Sequence, residues 1–203
     1  MQFSILGRKI RVSFWFVLFI TIATLIDKTG AIIWGFAAAI VHEAAHVVVM
    51  VLNGSNPQEI QFNFFEVNII DKSRCATKYK NDIQILLAGP TSNLFMAFLF
   101  YFIYKVSHEE FLLVPFIENL VLGVLNFLPI ASLDGGQLMY MFLSRKMNPL
   151  HVERICRVIS LLFLIPVFLL GVWILINSKG NFSLLIIGCY LFLAIINNEN
   201  NFI

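Results

Sequence analysis

Three ionisable residues fall within the five positions His42-Glu43-Ala44-Ala45-His46, inside an otherwise apolar stretch. Two histidines at i and i+4 share one face of a helix, close enough for both imidazoles to hold one zinc ion. Glu43, next to the first histidine, is placed to take the proton of an attacking water as a general base. Such residues each cost on the order of a few kcal/mol in lipid, so their presence there marks function. A catalytic zinc takes three protein ligands and keeps one position open. The chain holds 4 histidines, and the two outside the motif, His108 and His151, lie far along the sequence. The stronger third candidate is Asp134, in the run Asn126-Phe127-Leu128-Pro129-Ile130-Ala131-Ser132-Leu133-Asp134-Gly135-Gly136-Gln137. On spacing alone, Asp134 serves equally well as a metal ligand or as the local cap of an Asp-Gly-Gly turn.

The rest of the chain is built to carry these residues in a bilayer. Its 203 residues are 59% hydrophobic and 13% charged, against roughly 45–50% and about 25% in soluble domains. A soluble globule of this size cannot hide that much apolar surface. The net charge of +2 leaves no electrostatic footprint for nucleic acid. Cys75, Cys156 and Cys189 show no CxxC spacing, so neither a disulfide nor a cysteine metal site is expected. The basic N-terminal flank and first apolar run lack a small-residue cleavage site and read as an uncleaved first span.

Spanning a hydrocarbon core takes about 20 mostly apolar residues. Six stretches qualify: Val12–Ile26, Ala31–Leu52, Ile83–Tyr104, Phe111–Ile130, Val152–Ile176 and Phe182–Ile196. With the N-terminus inside, 11 of the 14 lysines and arginines face the cytoplasm; only Lys28, Lys105 and Lys179 fall outside. That bias sets the orientation, with both termini cytoplasmic. His46 then lies six residues before Leu52, roughly 9 Å along the axis, and Asp134 sits on a loop that leaves the fourth span on the same side. Between spans two and three, Ile60-Gln61-Phe62-Asn63-Phe64 alternates apolar and polar residues, and β-prone residues continue to Ile70. This period of two predicts a strand or hairpin at the cytoplasmic interface. The expected fold is an all-α polytopic membrane protein, one domain over 1–203, with six spans, a small hairpin and a core over about 31–140.

Three motifs in order, His42 to His46, Ala88-Gly89-Pro90-Thr91-Ser92-Asn93, and Asn126 to Gly136, resemble the site-2 protease family of intramembrane zinc metalloproteases. The resemblance covers about residues 40 to 140. It implies His42, His46 and Asp134 as ligands of one zinc per chain, Glu43 as catalytic base, and Asn126 in substrate or oxyanion contact. The span pattern is most similar to the family's sporulation-type branch, which processes a membrane-associated pro-sigma factor. No nucleotide-sensing CBS domain is expected in this chain, and no PDZ insertion interrupts the spans. The implied partners are a membrane-protein substrate, the lipid bilayer and an inhibitory membrane protein.

The second motif has a physical reading of its own. Pro90 has no N–H, so the carbonyl of Leu86 loses its helical donor and a kink is expected. Gly89 permits close approach of a neighbouring helix, and Asn93 is able to hydrogen-bond to the zinc helix or to the loop around Asp134. Asn119 and Asn126, seven apart, form a polar stripe on the fourth span, while Glu118 lies nearer the outer end. A zinc transporter or channel also needs intramembrane histidines and carboxylates. Its ligands, however, would be strung across the full depth, whereas these cluster in the cytoplasmic third. Clearance of signal-peptide remnants is the alternative role for a protease of this type.

Overall fold

In a computed structural model, residues 2–5, 8–12, 21, 24, 25, 27, 29–55, 59–62, 67–70, 79–177 and 183–197 are described. Four short strands form one sheet in the order β1 (Gln2–Ile5), β2 (Arg8–Val12), β3 (Glu59–Phe62) and β4 (Val67–Ile70). β1 pairs antiparallel with β2, β2 parallel with β3 in the register Lys9↔Glu59, and β3 antiparallel with β4 in the register Glu59↔Ile70. The sheet therefore draws on the N-terminal residues as well as on the segment where alternation predicts strand. Val12 ends a strand and does not open a span. The run Lys9-Ile10-Arg11-Val12 alternates charged and apolar residues, a strand's period that an apolar count overlooks. Most of the expected first span, Val12–Ile26, lies outside the described residues.

The chain divides into two compact units, residues 1–124 and 125–203. Helix α1 (Ala31–Leu52) lies between β2 and β3 in the chain, and helix α2 (Tyr79–Ser107), a 3-10 turn (Glu110–Leu112) and helix α3 (Leu113–Phe127) follow β4. Then come α4 (Asp134–Ser144), α5 (Pro149–Asn177) and α6 (Ser183–Asn197). Among the described residues, 4 helical segments are long and apolar enough to cross a membrane: Ala31–Leu52, Tyr79–Ser107, Glu110–Phe127 and Pro149–Asn177. Where a sixth span, Phe182–Ile196, is expected, α6 is an apolar helix of 15 residues, which is short for a bilayer core. Bulky side chains such as Phe98 and Trp173 are mostly exposed, as they are where lipid rather than protein covers them. The protein is an integral membrane protein.

In the first unit, Asp27 starts α1. Its carboxylate accepts from the Thr29 hydroxyl at 2.7 Å and from the backbone N–H groups of Thr29 and Ile32, each at 2.8 Å. These bonds, that from the Thr29 hydroxyl first, hold its carboxyl below the usual range and satisfy donors a helix start leaves open. Ala38, His42, His46 and Met50, spaced four apart along α1, are buried. They form a single stripe, as a 3.6-residue turn requires. Ile85, Ala88, Gly89, Asn93 and Ala97 are buried on α2, which is helical through Pro90. α3 comes close enough at Gly123 that an added Cβ would lie 3.0 Å from Leu94.

In the second unit, α5 buries Val152, Cys156, Ser160, Leu164, Val167 and Gly171 along one stripe. Leu164 joins Ile130, Leu191 and Ile195 in an apolar core. Helix α3 ends at Phe127, three residues short of the expected boundary at Ile130. Pro129 explains the difference, because a proline disfavours helical backbone in the residue before it. Cys156 and Cys189 are free thiols.

Candidate metal centre

Within the first unit the structure brings together His42, His46, Gly89 and Asn93. Both histidines are nearly inaccessible, at 6% and 7% exposure. Their rings meet edge to face at 78°, and the two Nε2 atoms lie 3.2 Å apart. The i, i+4 spacing achieves this without any loop, since one helical turn stacks the two side chains. Each ring is then fixed from α2: His46 Nδ1 lies 2.7 Å from the carbonyl oxygen of Ile85, and His42 Nδ1 lies 2.6 Å from Oδ1 of Asn93. A carbonyl only accepts, so His46 Nδ1 carries the proton, and in the neutral ring Nε2 keeps a bare lone pair.

Gly89 faces this pair. A Cβ there would stand 2.6 Å from His42 Nε2 and nearer still to Nε2 of His46. Only glycine leaves that volume open, directly beside two imidazole nitrogens. A cradle that one methyl would fill, lined by a bare nitrogen donor, fits a small divalent cation with a taste for imidazole. The residues present therefore fit zinc. Glu43, one position past His42 on α1, is half-buried.

Asn93 is fully buried and does more than touch His42. Its Nδ2 donates to the carbonyl of Ala38 and to Oδ1 of Asn119, each at 3.0 Å. Pro90, one turn earlier, is also buried inside α2. The hydroxyls of Thr91 and Ser92 cap nearby carbonyls, that of Thr91 at Leu87 and that of Ser92 at Gly89. Gly89, Pro90 and Asn93 thus sit at the histidine pair or within a turn of it.

In the second unit, Asp134 is half-buried and is the first residue of α4, a placement that differs from the loop expected for it. The N–H groups of Gly136 and Gln137 both donate to the carbonyl of Leu133, at 3.0 and 3.1 Å, which starts a helix directly at the Asp-Gly-Gly run. The preceding reversal, Leu128 to Leu133, is clamped from α5. Ser160, with no exposed surface, accepts from the Ala131 N–H at 2.9 Å and donates to the Cys156 carbonyl at 2.6 Å. Sequence reasoning passed over Ser160, although it is the one hydroxyl on the buried stripe of α5. Asn126 is half-buried in the last turn of α3. His108 follows the last residue of α2 with φ 57, and His151 lies in the first turn of α5; both are exposed.

Comparison with known proteins agrees with this picture. Residues 105–167, which contain Asn126, Asp134 and Ser160, match the family model of Peptidase family M50. The chain is 25% identical over 138 residues to stage IV sporulation protein FB of Bacillus subtilis (strain 168), a match covering 67% of this chain and 47% of that protein. The chain thus spans about half the length of that curated relative. Its fold is similar to that of the site-2 protease from Methanocaldococcus jannaschii, with a TM-score of 0.67 at 20% identity over 98% of this chain and 95% of that one. The resemblance carried by the three motifs is borne out: in sequence this chain is similar to peptidase family M50 and to a sporulation relative, and in fold it is similar to a site-2 protease.

Proposed function

We propose that the protein is an intramembrane zinc metalloendopeptidase that hydrolyses a peptide bond in or near a transmembrane segment of a membrane protein. The observation that carries this reading is the pair of Nε2 atoms of His42 and His46, set 3.2 Å apart beside the space kept by Gly89. Asp134 is the third ligand of the one zinc per chain. When bound, zinc would supply Lewis-acid polarisation of the scissile carbonyl and acidify the attacking water. Glu43 takes the proton of that water and returns it to the leaving amine. Asn126 donates to the developing oxyanion. An extended peptide is needed, because a helix hides its carbonyls, and β4 at the edge of the sheet is the element onto which it would add.

The bias of the basic residues favours both termini on the cytoplasmic side, here of a bacterial cell membrane, with cleavage near that face. The substrate class favoured by likeness to the sporulation relative is a membrane-associated precursor such as a pro-sigma factor. Clearance of signal-peptide remnants is the second role to examine. An inhibitory membrane protein is a partner to seek alongside the substrate.

Purified protein in lipid nanodiscs, mixed with a tagged candidate substrate, tests the mechanism. Glu43→Gln should keep its zinc and lose cleavage by about 100- to 10,000-fold, the range of a general base. Asp134→Ala should lose bound zinc, and Asn68→Pro in β4 should slow cleavage while zinc stays. Unchanged cleavage in Glu43→Gln removes Glu43 as base, and unchanged zinc content in Asp134→Ala removes Asp134 as ligand. Full cleavage in Asn68→Pro rejects strand addition at β4. Zinc flux across the membrane without proteolysis would favour a transporter.

A further inference from the structure

We infer that Asn119 is a positioning residue, which acts through Asn93 to fix the proton of His42 on Nδ1 and so to leave Nε2 bare. The argument is one of donors and acceptors, and it runs inward from α3. Asn119 lies 2.8 Å from the carbonyl oxygen of Pro115. A carbonyl only accepts, so the atom facing it is Nδ2, and Oδ1 must be the end turned to Asn93. Asn93 in turn faces two acceptors, the Ala38 carbonyl and Oδ1 of Asn119, each at 3.0 Å. Its Nδ2 spends both protons on them. The remaining atom, Oδ1, lies 2.6 Å from His42 Nδ1 and only accepts. His42 Nδ1 therefore donates, and a neutral imidazole with its proton there has an unprotonated Nε2.

Burial makes this order binding. Asn93 has no exposed surface and Asn119 is 3% exposed, so no solvent offers either amide another partner. His46 reaches the same tautomer by a separate route through the Ile85 carbonyl. In the neutral pair neither Nε2 has a hydrogen to give, so their 3.2 Å approach sets two lone pairs against each other. A cation relieves that repulsion, and partners of this kind commonly change metal affinity by 10- to 100-fold. The tautomer stands on geometry alone, whereas its consequence for zinc rests on the metalloprotease reading.

Two readouts separate these statements. Nitrogen-15 NMR of histidine-labelled, metal-free protein in alkaline solution reports each ring's tautomer. The wild type should show His42 protonated on Nδ1; protonation on Nε2 overturns the inference without any variant being made. Asn93→Leu should shift His42 toward the Nε2–H form, and Asn93→Asp, which retains an acceptor, should restore Nδ1–H. Zinc affinity by chelator competition should fall 10- to 100-fold in Asn93→Leu and at least threefold in Asn119→Leu. Because Asn119 acts through Asn93, the double variant should bind no more weakly than Asn93→Leu alone. Additive losses, or an Asn119→Leu variant within twofold of wild type, would make Asn119 a packing residue only. A wild type with the stated tautomer and no zinc affinity would support the relay and reject the metalloprotease reading.

Discussion

The two regions that carry the motif residues hold them by opposite means. In the first unit, the turn of α1 brings His42 and His46 into register, and α2 needs only to orient two rings. In the second unit, Asp134 follows a reversal from Leu128 to Leu133 that has few hydrogen bonds of its own. That reversal depends on α5, 29 residues away in sequence at the Ala131–Ser160 bond. Local periodicity builds one region and long-range contact builds the other. Their failures should differ accordingly, and the largest differences are expected at a tightly packed glycine in each region.

Gly136 is the more severe case. An added Cβ would overlap the backbone carbonyl of Ile130 and crowd Ala131 Cα, and Gly135 is packed somewhat less tightly against the carbonyls of Phe127 and Leu128. Backbone cannot swing aside as a side-chain tip does. Gly136→Ala should therefore cost at least ~3 kcal/mol, the upper part of the range for overpacking. It should lower the thermal midpoint of the detergent-solubilised protein by several degrees or more. A midpoint equal to that of wild type would mean that the reversal is not pinned by this contact.

At Gly89 the obstacle is the tips of two histidine rings, which are able to turn if they give up their Nδ1 partners. Gly89→Ala should lower the midpoint of the metal-free protein by less than Gly136→Ala does, while zinc binding falls by at least ~100-fold, since the methyl takes the cradle itself. Isothermal titration with zinc is the measurement. Retained affinity with an intact fold would place the ion elsewhere. The pair of glycines thus separates a fold-determining contact from a site-determining one.

This contrast also explains what the sequence makes legible. The His42-to-His46 spacing translates directly into one helix face, because a 3.6-residue turn needs nothing beyond the helix to align its ligands. The long apolar helices are legible for the same reason, in that their length answers to bilayer thickness. The roles of Asn119 and Ser160 are not legible: a single amide or hydroxyl in an apolar helix does not say which distant carbonyl or N–H it meets. The strand at Arg8–Val12 carries a local alternation, but its parallel pairing with β3, some 50 residues onward, is encoded in no local pattern. The helix beginning at Asp134 was hidden by the Gly135-Gly136 pair. Glycines there signal a turn in propensity, while their actual use is close packing against the backbone of Phe127 to Ala131.

The gentlest way to probe the second region is to remove one hydroxyl. Ser160→Ala takes away the acceptor of the Ala131 N–H and leaves that donor without its partner in a buried place. The bond from Ser160 to the Cys156 carbonyl goes too, but that matters less, because a helix carbonyl still has its backbone donor. An orphaned buried donor costs about 1–3 kcal/mol, less than a backbone overlap, so the fold should survive. The effect should appear locally: amide hydrogen exchange at Ala131 and Leu133 should speed up by at least tenfold, a factor that corresponds to about 1.4 kcal/mol. Amides in the second half of α1, around Val47 to Met50, should exchange as in wild type, because their protection comes from the helix ladder itself. Equal acceleration in both places would mean that the two regions share one cooperative unit and that the contrast between helix-built and contact-built ligands does not extend to their stability.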